Sequence, residues 1–473
     1  MENQQEGPVR QERSVRRRRV LIASVAGCAV LGGVLVLLPR GPAEPAPPSP
    51  GAPARAAVGS GVPATLPGLA ELIGEREKAV RDRPGDAVSW AVLGAAYVER
   101  GRRLADPAYY PRAERALRAS LKVRPQRNTR AVAGFAALAN ARRDFRAGRR
   151  WGEAALKLEP RRWTTYPLLI DAYTGLGEYR AAERTLDRLT ELRSGPAVLA
   201  RAAAVYRDRG RLEDAAASLA DAAAGARAPV ERAAHLEQAG HLAFERGDPA
   251  VALRHFREAV RLDPDQRAAR AGQGRALAAL GRTAQALKAY RSALAGQPCP
   301  RYALELGELY ESLGMRGEAR AQYDLLRERV RGAAAGGADE GLVLGRLEAD
   351  HGDPAVAVRR LRTEWQRRPT PEAADALGWA LYRAGQPAQA LRFALRATDP
   401  ERGGGPGDAV YWYHRGMIEQ ELNRPGAARR HLTEALRINP HFSPLHAPAA
   451  RTAREALGEP PDEGVPEMDD GAG

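Results

Sequence analysis

One interval governs this chain. Gly240, Gly247, Ala252, Phe256, Ala259 and Pro264 are each followed, 34 residues later, by a residue of the same class: Gly274, Gly281, Ala286, Tyr290, Ala293 and Pro298. Six classes repeating in one register are hard to obtain by chance. A fixed period between about 20 and 50 residues means stacked supersecondary units rather than one closed core. A length of 473 residues would suggest two or three ordinary domains, but here it reads as one array of about ten units. Arrays of this kind act through their surfaces, so the period fixes the architecture and only bounds the function.

Each unit has a mechanical logic. Trp90, Leu93, Gly94 and Tyr97 stand at offsets that place all four on one helical face. A second helix follows, with Ala, an aromatic or Leu, then Ala at spacings of four and three. Small residues let the paired helices approach, large ones fill the gap, and Gly and Pro end the first and second helix. The Trp90 pattern resembles the first-helix signature of the tetratricopeptide repeat, and the resemblance covers roughly three quarters of the chain. It implies an all-α fold, a right-handed superhelical solenoid of about ten helix–turn–helix repeats. The units are expected to begin near Ala87, Thr129, Trp163, Pro196, Ala233, Arg267, Pro300, Ala338, Pro371 and Ala409, within a solenoid over 87–440. Gly177, Gly210, Gly247, Gly281, Gly314, Gly352 and Gly385 mark the turns inside them.

The N-terminus follows different rules. Val20 to Leu38 is a 19-residue run without charge, in which 11 residues are Val, Leu or Ile. At 1.5 Å per residue it is about 28 Å long, close to a bilayer core. Six arginines precede it in the basic segment 1–19, which predicts a cytoplasmic N-terminus and an extracytoplasmic solenoid on a single-pass plasma-membrane protein. A cleaved signal peptide, processed near Ala52-Pro53-Ala54, is the rival reading. Val25-Ala26-Gly27-Cys28 resembles a bacterial lipobox, but apolar residues continue past Cys28, as in a membrane helix. Ser24, Cys28 and Gly32 form a small-residue stripe on which two such helices could pair as a homodimer. Pro, Ala and Gly dominate 39–67, which reads as a disordered linker. Capping helices are expected at 69–84 and 441–458, and an acidic disordered tail at 459–473.

Catalytic motifs are missing from the sequence. Every Lys follows Glu or Leu, which excludes a phosphate-binding G-K loop, and neither G-x-S-x-G nor H-E-x-x-H occurs. Cys28 and Cys299 cannot build a zinc knuckle, and the eight histidines are scattered. The chain therefore reads as a non-enzyme, with no cofactor or metal expected; a hidden carboxylate pair would be the only route to catalysis.

Recognition remains. The resemblance implies that first helices line a concave groove, which brings Trp379, Tyr382, Tyr413 and Met417 inward as large apolar side chains that the packing pattern does not need. Arg346 and Arg383 beside them would meet a carboxylate or phosphate, and aromatics with Arg are hot-spot residue types. Trp379 and Tyr413 could equally pack against the loop 401–407 or the last capping helix. His241, Phe244, Arg275, Glu308 and Glu311 form a second inward set of mixed charge, which reads as a solvated face. Asn140 has no Lys beside it, so the clamp some family members use for a chaperone's C-terminus is absent.

The leading expectation is a membrane-anchored extracytoplasmic scaffold that binds a protein or peptide in its groove. The alternative is a charge-driven binder of an anionic envelope component, a lipid surface or polymer, suggested by the net charge of +15. Because 69 of the 73 basic residues are Arg, as GC-rich coding would produce, the pI of 10.2 carries less weight. Nucleic acid is not expected as a partner, since the topology puts the basic solenoid outside the cytoplasm.

Overall fold

The structure, a computed structural model, describes residues 49–400 and 408–458. The basic segment 1–19, the apolar run 20–38, the linker up to residue 48, the loop 401–407 and the tail 459–473 lie outside the described residues. Among the described residues every regular element is helical, and no helix is long and apolar enough to cross a membrane.

Two helices, α1 (Ala52–Ser60) and α2 (Leu66–Asp82), precede ten helical pairs. The first five pairs are α3 (Ala87–Leu104) with α4 (Tyr109–Val123), α5 (Thr129–Ala141) with α6 (Phe145–Leu158), α7 (Tyr166–Gly175) with α8 (Tyr179–Leu192), α9 (Pro196–Asp208) with α10 (Leu212–Gly225), and α11 (Pro229–Glu245) with α12 (Pro249–Leu262). The second five are α13 (Arg267–Ala279) with α14 (Thr283–Gly296), α15 (Pro300–Ser312) with α16 (Arg316–Ala335), α17 (Gly341–His351) with α18 (Pro354–Arg367), α19 (Pro371–Arg383) with α20 (Pro387–Ala397), and α21 (Ala409–Glu421) with α22 (Pro425–Ile438). A final helix, α23 (His446–Ala456), closes the array.

The 34-residue period has a direct cause in packing. Phe256 is fully buried between Gly240 and Gly272, and a Cβ on either glycine would come within 2.6 Å and 2.4 Å of its ring. Burying such a ring is worth about 1.5–3 kcal/mol. Tyr290 against Gly274 and Tyr323 against Gly307 repeat the arrangement in the next two units. The turns inside six units sit on glycines with φ between 71° and 81°, the left-handed region that a Cβ disfavours. Gly352 departs from this, with φ −146°. The core is divided into five apolar clusters along the chain, as stacking of neighbours requires.

The array coils tightly enough to touch itself. Arg103 Nη2 donates to Asp263 Oδ2 at 2.7 Å, across 160 residues, and both side chains are buried. Arg142 Nε reaches the Gly336 carbonyl at 3.0 Å, and Asp339 N returns a bond to the Arg142 carbonyl at 3.0 Å. Arg146 bonds the Gln366 carbonyl, and Asn439 Nδ2 donates to the Phe244 carbonyl at 2.8 Å. In each case the turn inside one unit meets the end of a second helix about five units later. Two successive coils therefore share a seam that covers one edge of each.

Several expectations are corrected. Residues 52–60 of the supposed linker form α1: Pro53 sits in its first turn, Ala54 is buried against Leu69 and Leu72, and Gly51 N bonds Glu75 Oε1 at 2.8 Å. Alanine content favours helix once a neighbouring apolar face is available to cover it. The fifth unit starts at Pro229 rather than Ala233, because Pro229 opens the helix a turn earlier, and the eighth starts at Gly341 rather than Ala338. The end caps are Leu66–Asp82 and His446–Ala456, close to the expected 69–84 and 441–458.

Candidate functional site

Coiling turns the groove into a partly open lumen. A cavity of about 610 Å³ lies against units five to ten, Arg143 in the turn of unit two, the segment after α22 and the start of α23. Its wall is built by inward faces of first helices, because the opposite faces are occupied in pairing with second helices. Five arginines line it, Arg143, Arg275, Arg301, Arg346 and Arg451. So do eight carboxylates, Glu245, Glu305, Glu308, Glu340, Asp350, Glu372, Asp375 and Asp408. The wall is thus acidic in a chain of net charge +15.

Most of the arginines are already matched. Glu305 accepts from Arg275, from Arg301 Nε at 3.0 Å and from the Tyr290 hydroxyl at 3.1 Å. Burial alone would raise its pKa, but the two guanidiniums outweigh that and hold it below the ordinary carboxylate value. Arg346 pairs with Glu372 at 3.2 Å and Arg143 with Glu340 at 3.3 Å. Glu245 meets Arg207 at 3.7 Å. Arg451 is turned to the Pro440 carbonyl.

Of the remaining acids, Glu308 and Asp408 have no ion pair among the described residues, whereas Asp350 and Asp375 do. Glu308 has no hydrogen bond or ion pair; burial, then Asp350 and Glu305, push its pKa up to about 8. Asp408 caps α21 through Val410 N, and burial with Asp375 and Glu245 nearby raises it to about 6. Asp375 faces His414 Nδ1 at 2.8 Å. That contact occupies Nδ1, and Nε2 is buried without a partner. Asp350 accepts from Trp379 Nε1 at 2.9 Å and lies 3.7 Å from Arg383 and 3.9 Å from His446. Burial drives the His446 pKa down to about 4, so this ring is neutral near pH 7.

The residues singled out in the sequence divide between wall and core. Arg346 and Trp379 line the cavity, although Trp379 is only 5% exposed and its ring is stacked against His414 at 4.0 Å and Tyr382 at 4.9 Å. Tyr413 is 3% exposed and packs on His446 and Phe442 beneath the last helix, so it is a core residue and not a groove anchor. Met417 and Tyr382 pack against the same cluster, and Arg383 turns to Asp350. The reason is α23: it lays its apolar side over the last unit, which otherwise has no neighbour. In the second inward set, Phe244, Arg275 and Glu308 line the lumen, while His241 pairs with Glu237 and Glu311 with His351. Asp350, Asp375, Asp408 and Tyr411 also line the cavity, and none is a candidate on the sequence reading, which rests on the large side chains at the inward fifth, ninth and twelfth positions of a unit. Applying the same inward register to acids would have found Asp375, which holds the place in its unit that Tyr413 holds in the next.

Comparison with known proteins agrees with this construction. Tetratricopeptide repeat family models match residues 237–298, 272–334, 342–409 and 409–442. Units five to ten are therefore tetratricopeptide repeats. Among solved structures, a human IFIT1 dimer with PPP-AAAA is similar at 18% identity and a TM-score of 0.45, covering 70% of this chain and 77% of that one. A tetratricopeptide repeat protein from Parabacteroides merdae is similar at 17% identity and a TM-score of 0.32, covering 56% of this chain and 99% of that one. No curated protein matches the chain.

Proposed function

We propose that this chain is a binding scaffold that holds a protein or peptide segment inside the lumen of its coiled repeats. The supporting observation is the cavity itself: about 610 Å³, within the range of ligand sites, with polar groups from successive units converging on it. The tetratricopeptide repeats of units five to ten support a role in protein interaction. The scaffold is anchored in the plasma membrane by residues 20–38, with the repeats on the extracytoplasmic side; the uncharged run and the arginines before it support that topology.

Photo-crosslinking in intact cells tests the binding reading. The probe belongs at Tyr411, on the lumen wall, with a control at Leu395, which is 45% exposed on the outer helix layer. A discrete protein adduct from Tyr411 alone is the expected result. Diffuse adducts that are equal at both positions and vanish with salt would replace it with the charge-driven binder of an anionic envelope component. Topology is tested separately: Leu395→Cys should react with a membrane-impermeant maleimide in intact cells, and reaction only after lysis would reverse it.

A further inference from the structure

The lumen wall contributed by units seven to ten offers acceptors without matching donors. We propose that it binds an organic cation, an alkylammonium or guanidinium group, carried by a free polyamine or by a Lys or Arg side chain of a bound peptide. This rests on the lumen being a binding site and adds the chemistry that fills it.

Three independent features carry it. The first is charge: once Arg275 and Arg301 are assigned to Glu305, Arg346 to Glu372 and Arg143 to Glu340, the surplus on the wall is negative. Among the described residues Glu308 makes no ion pair, with Arg346 acting on it from beyond contact distance, and Asp408 is met by the backbone amide of Val410. The second is the bare Nε2 of His414, on a ring only 6% exposed that lines the cavity. A buried polar atom left without a partner costs free energy, and a hydrogen-bonding ligand would remove that cost. The third is aromatic surface: Tyr411 and Phe442 stand on the same wall, and ring faces attract ammonium and guanidinium groups. A phosphate or carboxylate ligand would meet repulsion from the same groups.

Titration calorimetry on the full-length chain in mild detergent tests the proposal. The probes are spermidine, a blocked tetralysine peptide, the same peptide with its lysines acetylated, and a tetraglutamate peptide. Saturable binding of spermidine, tetralysine or both is expected, with no uptake of the other two. Spermidine alone would identify a small-molecule source and tetralysine alone a peptide source. Glu308→Gln and Asp408→Asn should each weaken binding by about tenfold or more, as loss of a charge-assisted hydrogen bond does. Asn caps a helix nearly as well as Asp, so thermal melting of Asp408→Asn should match the parent. Equal binding of the acetylated peptide, preference for tetraglutamate, or no effect of both substitutions would overturn the cation site. Failure of every probe would overturn it as well. The lumen reading would survive any of these if Tyr411 still captured a discrete protein.

Discussion

Arg103 at the seam and Glu308 in the lumen are both charges enclosed by protein, and their surroundings are opposite. Arg103 meets Asp263 at 2.7 Å with both groups out of water. Glu308 has acids around it, a pKa held near 8, and no partner. The seam pairs its charge within the chain, although Arg103 Nε and Nη1 stay buried without a partner, and that pair holds one coil against the next. The lumen leaves charge unmatched, and the fold tolerates that cost because the wall stays in contact with water until something binds. Unmatched charge is thus the better guide to function here, and matched charge the better guide to shape.

The largest test of that contrast is Arg103→Ala. It leaves Asp263 buried and unpaired, which should cost about 3–5 kcal/mol, read as a lower denaturation midpoint and a larger radius in X-ray scattering. Replacing both partners, Arg103→Met with Asp263→Leu, should recover most of that stability, because an apolar pair has no charge to desolvate. A double variant as unstable as the single would show that the seam needs its charges for another reason. Asn439→Ala should have a smaller effect, about 0.5–1.5 kcal/mol for one lost hydrogen bond, because the Phe244 carbonyl keeps the Gly247 amide as a donor, again by denaturation.

In the lumen the effect is smaller and changes sign. A carboxyl held up from 4.5 to about 8 binds its proton more tightly in the folded protein. Its contribution is therefore present at low pH and is lost as pH rises through about 8. The groups facing it are Asp350, Glu305, Glu311 and Arg346. Glu308→Gln should melt progressively higher than the parent as pH goes from 5 to 9, and a gap that is flat with pH would contradict the assignment.

His446 supplies the smallest effect, in the opposite direction. Its pKa falls from 6.5 to about 4 on folding, so stability is complete above 6.5 and declines as pH drops toward 4. The groups that bear on it are Asp350, His414, His351 and Arg383. His446→Gln should flatten the acid limb of the melting profile.

Helix positions were legible in the sequence because each unit repeats the same local problem. Phe256 and Tyr290 each need a small residue opposite, so Gly240 is followed 34 residues later by Gly274, and that pattern announces itself. The seam was not legible. Its acceptors include the backbone carbonyls of Gly336, Gln366 and Phe244, which any residue supplies, and its donors are Asn439 and arginines in a chain where Arg is common. The site was legible in part: Arg346 could be placed inward by register, but Tyr413 could be assigned to the core only once α23 was seen to cover it. Glu308 was located and then set aside, because mixed charge along a sequence does not reveal which pairs are satisfied in space.

The seam also restricts how this protein can change. In an open solenoid a unit can be gained or lost with only its two neighbours affected. Here the turn after Arg142 must meet Gly336, and the turn after Phe244 must meet Asn439, each about five units on. Deleting unit six, which both spans enclose, would move both meetings out of register together. The number of repeats in this coil is therefore fixed like a screw thread, and duplication or loss is free only beyond its ends.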